Sequence, residues 1–292
     1  MHVSRVQPQL QRFHDGGTAT EPPDRGAPLR IVLERLTDGG IESFALARRI
    51  AYDDRELGEL LVPADSTFRT DLTSVQWLFT WLVPKTGAHL PAALLHDGLV
   101  GGGDGPASYV STDGHVVARD EADRIFRDAM ADTGTGVVRR WLVWTAVATA
   151  TIVVGSQAWS RARLLGYRLA AVTSILVVVA LGTLATLDLL DLGVRLPWMG
   201  EGAWWSELVG GFAGAVAIPF LLGLAWGRFR MAGAILGVLL ALLLHVTVAL
   251  LGLTLLYLAI ERFAQALPRV ATATAASVVA VSLLLLAAYS FA

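Results

Sequence analysis

From Leu169 onward the chain is organised around four runs that contain no charged side chain: Leu169–Leu187, Leu208–Trp226, Met231–Ile260 and Val270–Ala292. Each is long enough, at about 1.5 Å of rise per residue, to cross about 30 Å of hydrocarbon as a helix. The C-terminal half is therefore expected to be an all-α transmembrane bundle of about four spans. A fifth uncharged stretch, Trp141–Ser160, contains threonines and ends in Gly-Ser-Gln. Its expected role is the last helix of the preceding domain, lying along the membrane face, with a fifth span as the alternative.

Composition sharpens this division. Hydrophobic residues make up 54% of the 292 and charged residues only 16%, and the charges lie mainly before Leu169. The net charge of −2 gives no global field that would attract nucleic acid, so none is expected as a partner. There is no cysteine, which removes disulfides and thiolate metal sites and leaves oxygen or imidazole ligands for any metal.

Met1–Pro28 lacks an apolar core of the signal-peptide kind and reads as a disordered tail, in which the His14-Asp15 pair has no evident support. From Leu29 the pattern turns to strands. LRIVLERL, the turn residues Asp38, Gly39 and Gly40, and IESFALARRIAY predict a hairpin, and LGELLVPA predicts a third strand. After Pro63 the apolar spacing becomes helical in SVQWLFTWLV, HLPAALLHDGL, ARDEADRIFRDAM and VVRRWLVWTAVATA. Pro91 suits a first helical turn, and Gly101–Gly105 ends that helix. The expected architecture is a tail over 1–28, a small α+β domain over 29–158, and a transmembrane domain over 159–292.

Arginine bias in short loops sets the orientation. Arg161, Arg163 and Arg168 precede the first span, and Arg228 and Arg230 fill the turn between the second and third. The opposite side carries Arg195, Arg262 and Arg269 together with Asp188, Asp191, Glu201, Glu207 and Glu261. The expectation is a multi-pass protein of the plasma (inner) membrane with its N-terminal domain in the cytoplasm.

Two ionisable residues stand where packing would bury them. His96 follows Ala92 by four and precedes Leu99 by three, and Asp123 shares a helical face with Phe126 and Met130. Burying either one unpaired costs several kcal/mol or shifts its pKa, so each needs a partner. Inward residues on consecutive helices can meet. An aspartate that accepts one imidazole N–H fixes the tautomer in which the other nitrogen is a base. Asp97 projects about 100° away around the helix and is a candidate metal ligand or hydrogen-bond acceptor. Asp71, followed by Thr73 and Ser74, is a second candidate ligand. The other acids on the later helix, Glu121 and Asp128, are expected to lean toward water. The opposite reading is structural: a His96–Asp123 bond that ties two helices, with Arg119 pairing an acid.

The blocks VPADSTFRTDLTSV, GAHLPAALLHD, ARDEADRIFRDAM and RRWLVWTAV, in that order, resemble a family of phage and bacterial proteins catalogued as domain of unknown function 1353. Pro63, Phe68, Thr70, Asp71, Ser74, His96, Asp97, Arg119, Ala122, Asp123 and Phe126 carry the resemblance, which covers roughly residues 29–158. Gln76, His89 and Val100 depart from it, where the family has proline, tyrosine and tyrosine. The family implies no established activity. The His-Asp pair followed by a later aspartate is also similar to the arrangement in phospholipases A2. That similarity implies His96 as the group that activates water, Asp97 as a calcium ligand and Asp123 as the acid orienting the histidine. A glycine-rich calcium loop before the histidine is missing, since Lys85–Leu90 offers only Gly87, and Val100 replaces the tyrosine.

Two functions follow as expectations. One is a membrane-tethered hydrolase acting on a lipid or small ester, with calcium, magnesium or manganese as a candidate cofactor. The other is a non-catalytic binding or scaffold module, with a transporter or channel ranked below both. His245 lies within the third span without a second charge at its depth, which favours a neutral histidine bonded to a neighbouring helix. The spacings Gly210/Gly214, Gly223/Gly227 and Gly233/Gly237 permit close helix packing, in one bundle or in a homo-oligomer. Trp198, Trp204 and Trp205 fall in the outer loop, where indoles favour the membrane interface.

Overall fold

The computed structural model describes residues 12–38, 41–72, 87–101, 105–199 and 204–267. The chain divides into two compact units, Met1–Val238 and Leu239–Ala292.

The first unit begins with strands. Five of them, β1 (Phe13–Asp15), β2 (Asp24–Pro28), β5 (Ile50–Asp54), β6 (Gly58–Val62) and β7 (Val110–Ser111), form an antiparallel sheet in the order β2-β1-β5-β6-β7. The other two, β3 (Leu33–Asp38) and β4 (Ile41–Leu46), form a separate two-stranded sheet. The expected hairpin is present, with Asp38 facing Ile41 across its turn, and the expected third strand is β6. IESFALARRIAY, read as one strand, is two. The break falls at Ala47–Arg49, where Arg48 turns to bind Asp15 and Glu21 and Arg49 exchanges backbone hydrogen bonds with Gly16 and Gly17.

The assignment of residues 1–28 as a disordered tail is corrected from Arg12 onward; residues 1–11 lie outside the described residues. Strand β1 pairs with β5 through His14↔Ala51, and Phe13 packs on Tyr52 at 4.7 Å between ring centroids. The His14-Asp15 pair is held rather than accidental. His14 Nε2 lies 3.1 Å from Glu59 Oε1, and Asp15 Oδ2 accepts from Arg48 at 2.6 Å. The Arg48 guanidinium, foremost among several causes, keeps the Asp15 carboxyl below its ordinary range. A three-residue strand shows too little alternation to be read from sequence, and its partners are 33 to 45 residues away.

Three helices follow, α1 (Leu90–Val100) packed on the sheet, α2 (Arg119–Asp132) packed on α1, and α3 (Val137–Val154) packed on α2. Pro91 stands in the first turn of α1 as expected, and Gly101, with φ of 91°, ends it. Ile50, Tyr52, Leu60 and Val62 from the sheet, Leu94 and Leu95 from α1, and Ile125, Phe126 and Met130 from α2 form the buried core. Gly98 permits the close approach of α1 to β6, because a Cβ at that position would lie 2.1 Å from Val62 Cγ1. The predicted helix SVQWLFTWLV lies outside the described residues.

Helix α3 falls on the uncharged stretch Trp141–Ser160 and the arginines just before it. Its inner face, Val143, Trp144, Val147, Ala148 and Ile152, belongs to the same core, which continues to Ala171, Trp226, Phe229 and Ala232 further along the chain. Helix α3 is followed by α4 (Arg161–Leu189), α5 (Trp204–Gly223), a 3-10 segment (Leu224–Phe229) and α6 (Arg230–Ala266). Four stretches among the described residues are long and apolar enough to cross a membrane: Val137–Val154, Arg161–Leu189, Trp204–Val246 and Val248–Ala266. An α+β domain followed by an all-helical apolar region is thus the architecture. The expected span Val270–Ala292 lies outside the described residues.

The glycine spacings serve contacts within the chain. A Cβ on Gly233 would meet the Trp226 ring at 2.6 Å, and one on Gly237 would meet Pro219 Cβ at 2.7 Å, so small residues let the start of α6 lie against α5 and the turn. Gly210 and Gly214 face the Trp198–Met199 segment instead of another helix. Trp226 is fully buried, and its indole N–H donates to Ser174 Oγ at 3.1 Å. In the second unit, His245 is exposed on α6.

Candidate functional site

The two inward residues meet. His96 on α1 and Asp123 on α2 are 3% and 1% exposed, and His96 Nε2 lies 2.9 Å from Asp123 Oδ1. An ionised carboxylate only accepts, so the imidazole donates from Nε2 and the remaining lone pair belongs to Nδ1. Among the described residues, His96 Nδ1 and Asp123 Oδ2 are buried without a hydrogen-bond partner. The imidazole stacks on Phe126, one turn along α2 from Asp123, with centroids 4.8 Å apart and planes inclined by 29°. The two groups therefore fix ring position and tautomer together.

Asp97 faces elsewhere, as its helical position requires. Its Oδ2 accepts from Thr70 Oγ1 at 2.6 Å, and Thr70 in turn forms a backbone bridge with Phe44. This ties α1 to the hairpin sheet. The role of Thr70 is not legible in the sequence, because a single bridge residue leaves no periodic trace. Asp71, next along the chain, is exposed and is not brought to the His96–Asp123 pair. Ser74 lies outside the described residues.

Of the candidate ligands, Asp97 is engaged by Thr70, Asp71 is at the surface, and among the described residues no group of three or more His, Asp or Glu is placed to hold a metal ion.

Helix α2, which carries Asp123, is anchored along its length by other acids. Asp120 in its first turn accepts from Ser156 Oγ at 2.6 Å, from Trp159 Nε1 at 3.2 Å and from Arg228 Nη1. In its middle, Arg124 reaches back to Asp54 Oδ1 at 2.7 Å. Burial works to raise the Asp54 carboxyl, but the Arg124 bond and the backbone N–H groups of Glu56 and Leu57 outweigh it and hold Asp54 below the usual range. At its end, Asp132 accepts from Tyr52 Oη at 2.8 Å and from Arg55 at 2.6 Å and 2.8 Å. Burial, reinforced by the Asp132 charge, pushes the Tyr52 hydroxyl upward and keeps it a donor.

Two expectations about α2 need correction. Asp128 is buried at 7% exposure, not turned toward water, because Arg124 and Arg127 cover it. Arg119 does not place its Nε on an acid; that atom is buried without a hydrogen-bond partner among the described residues. An amphipathic reading assumes one apolar face, whereas α2 is packed on several sides and buries four aspartates besides its apolar stripe.

The fold and the site define an α+β domain with a buried His–Asp pair, joined to helices apolar enough for a membrane. Residues 44–147, from β4 into α3, match a family described as "Protein of unknown function (DUF1353)". The match contains His96, Asp97, Asp123 and Thr70 and stops before α4. No curated protein and no solved structure matches the chain.

Proposed function

We propose that this chain is a multi-pass protein of the plasma (inner) membrane whose cytoplasmic N-terminal domain hydrolyses an ester bond of a lipid or small ester, with His96 as general base. The observation that carries this reading is the hydrogen bond from His96 Nε2 to Asp123 beside an unpartnered Nδ1. Nε2 is committed to Asp123, and Nδ1 is left with a lone pair and no protein partner among the described residues. In the reaction, Nδ1 takes a proton from water as the water oxygen bonds to the ester carbonyl carbon. The tetrahedral adduct then expels the alkoxide, which takes the proton back from the imidazolium. Asp123 orients the ring and offsets its transient positive charge. Because His96 is only 3% exposed, substrate reaches Nδ1 through a movement of the segments that cover it. The arginines before α4 and in the α5–α6 turn support the cytoplasmic placement, and the Arg228–Asp120 pair supports a common side for that turn and the domain.

The test is hydrolysis of a panel of phospholipid and short-chain esters by the full chain in nanodiscs. His96→Gln should lower the rate by at least about 100-fold, the usual scale for a general base, with its unfolding temperature still measurable. Activity that survives His96→Gln, or no activity of the wild type on any ester, sinks the reading.

The second reading is a non-catalytic membrane-anchored scaffold, favoured by the near-complete burial of both members of the pair. Under it, Asp123→Asn lowers the unfolding temperature, and no substrate turnover accompanies the wild type.

A further inference from the structure

The corner between α3 and α4 breaks a local electrostatic rule. Arg161 and Arg163 occupy the first turn of α4, the positive end of its dipole, where a cation is disfavoured. That turn contains no acidic residue. Both arginines are exposed, and among the described residues neither guanidinium has an acid within ion-pair distance. Ser160 caps the helix from its side chain, accepting from the Arg163 backbone N–H at 3.3 Å, so the backbone of the turn that carries both arginines is well formed.

Arg168 adds the depth of this corner. It stands immediately before the uncharged run that begins at Leu169, and its guanidinium donates to the backbone carbonyls of Ile152 and Val153 at the end of α3. The end of α3 therefore lies level with the start of the apolar part of α4. There Val153 and Val154 are 63% and 61% exposed. Exposed valines beside arginines that lack an acid fit a boundary where acyl chains meet anionic phosphates.

We propose that this corner binds the headgroup of an anionic phospholipid, with Arg161 and Arg163 on the phosphate and with Val153 and Val154 against the upper acyl chain. The partner is the lipid rather than a soluble anion because the exposed valines end the helix that Arg168 and Leu164 of α4 pack against, one turn or two beyond the cations. The interaction is independent of any chemistry at His96.

The full chain, extracted from nanodiscs of phosphatidylcholine containing a minority of phosphatidylglycerol, is examined by native mass spectrometry. The wild type should retain phosphatidylglycerol over phosphatidylcholine by roughly tenfold or more, the scale expected of two basic residues near an anionic surface. Arg161→Gln with Arg163→Gln should lose most of that preference, and Arg139→Gln, at the opposite end of α3, should keep it. The lysine pair Arg161→Lys with Arg163→Lys should retain it in part. Should the glutamine pair not fold, the wild type decides: raising salt to about 1 M, where the screening length is about 3 Å, should abolish the preference. A preference unchanged in the glutamine pair, lost equally in Arg139→Gln, or insensitive to salt overturns the proposal, as does equal displacement of the lipid by inorganic phosphate.

Discussion

Arg228, in the turn between α5 and α6, donates to Asp120 in the first turn of α2, joining residues 108 apart in sequence. Asp120 is 6% exposed, and it also receives Ser156 and Trp159 from the α3–α4 link. Around the same point Trp159, Tyr167 and Phe229 pack with ring centroids 4.9 to 5.6 Å apart. The helix that carries Asp123 is thus attached at its start to the apolar helices.

The Arg228 side chain is half-exposed, so solvent screens the pair and Arg228→Gln should destabilise the full chain by only about 1 kcal/mol. Asp120→Asn removes the charge that three donors share and should cost about 2 kcal/mol. A double-mutant cycle by thermal unfolding checks the pair directly. If Arg228→Gln has the same effect in the Asp120→Asn background, the ion pair contributes nothing.

Gly98→Ala should destabilise the α+β domain by about 1–3 kcal/mol, because the added Cβ would lie 2.1 Å from Val62 Cγ1 on a well-packed strand. Val62→Ala in the same chain removes the opposing methyls and should recover part of the loss. Unfolding temperatures of the two single variants and the double variant measure this compensation.

His96→Leu leaves the Asp123 carboxylate buried without its donor and should cost about 3–5 kcal/mol. Replacing both members, His96→Leu with Asp123→Leu, should be less harmful than His96→Leu alone, since no buried polar group is then orphaned. Unfolding measurements on His96→Leu, Asp123→Leu and the double variant test it; a double variant no more stable than His96→Leu contradicts the pairing.

Asp54 supplies a pH dependence with a definite sign. Its folded-state pKa is depressed, so the stability it contributes is fully present above the ordinary carboxylate value of about 4. That contribution is lost as the pH falls below this value and through the folded-state pKa. The wild type should therefore lose stability on acidification in this range, and Asp54→Asn should flatten that part of the profile. Unfolding temperature against pH for the two proteins is the measurement.

The hairpin, β6, the Pro91 start of α1 and the inward placement of His96 and Asp123 were legible because each rests on local pattern: a Gly-Gly turn, period-two alternation, or helical spacing. The split between β4 and β5 was not, because Arg48 leaves its strand to reach Asp15 and Glu21, acids that belong to a segment without strand periodicity. The engagement of Asp97 by Thr70 and the burial of Asp128 escaped for the same reason. Which polar groups a helix shows to water depends on what packs against it, and α2 is covered on several sides.

By itself, the sequence determined that this chain has an α+β part followed by helices fit for lipid, because apolar period and the absence of charge act residue by residue. Tertiary structure alone decided that His14 and Asp15 belong to the sheet, that one face of α3 is buried in the core, and that His96 and Asp123 are joined while Asp97 is not. Those outcomes depend on partners tens of residues away, and a hydrogen bond is set by the distance between two groups in space, which local spacing does not contain.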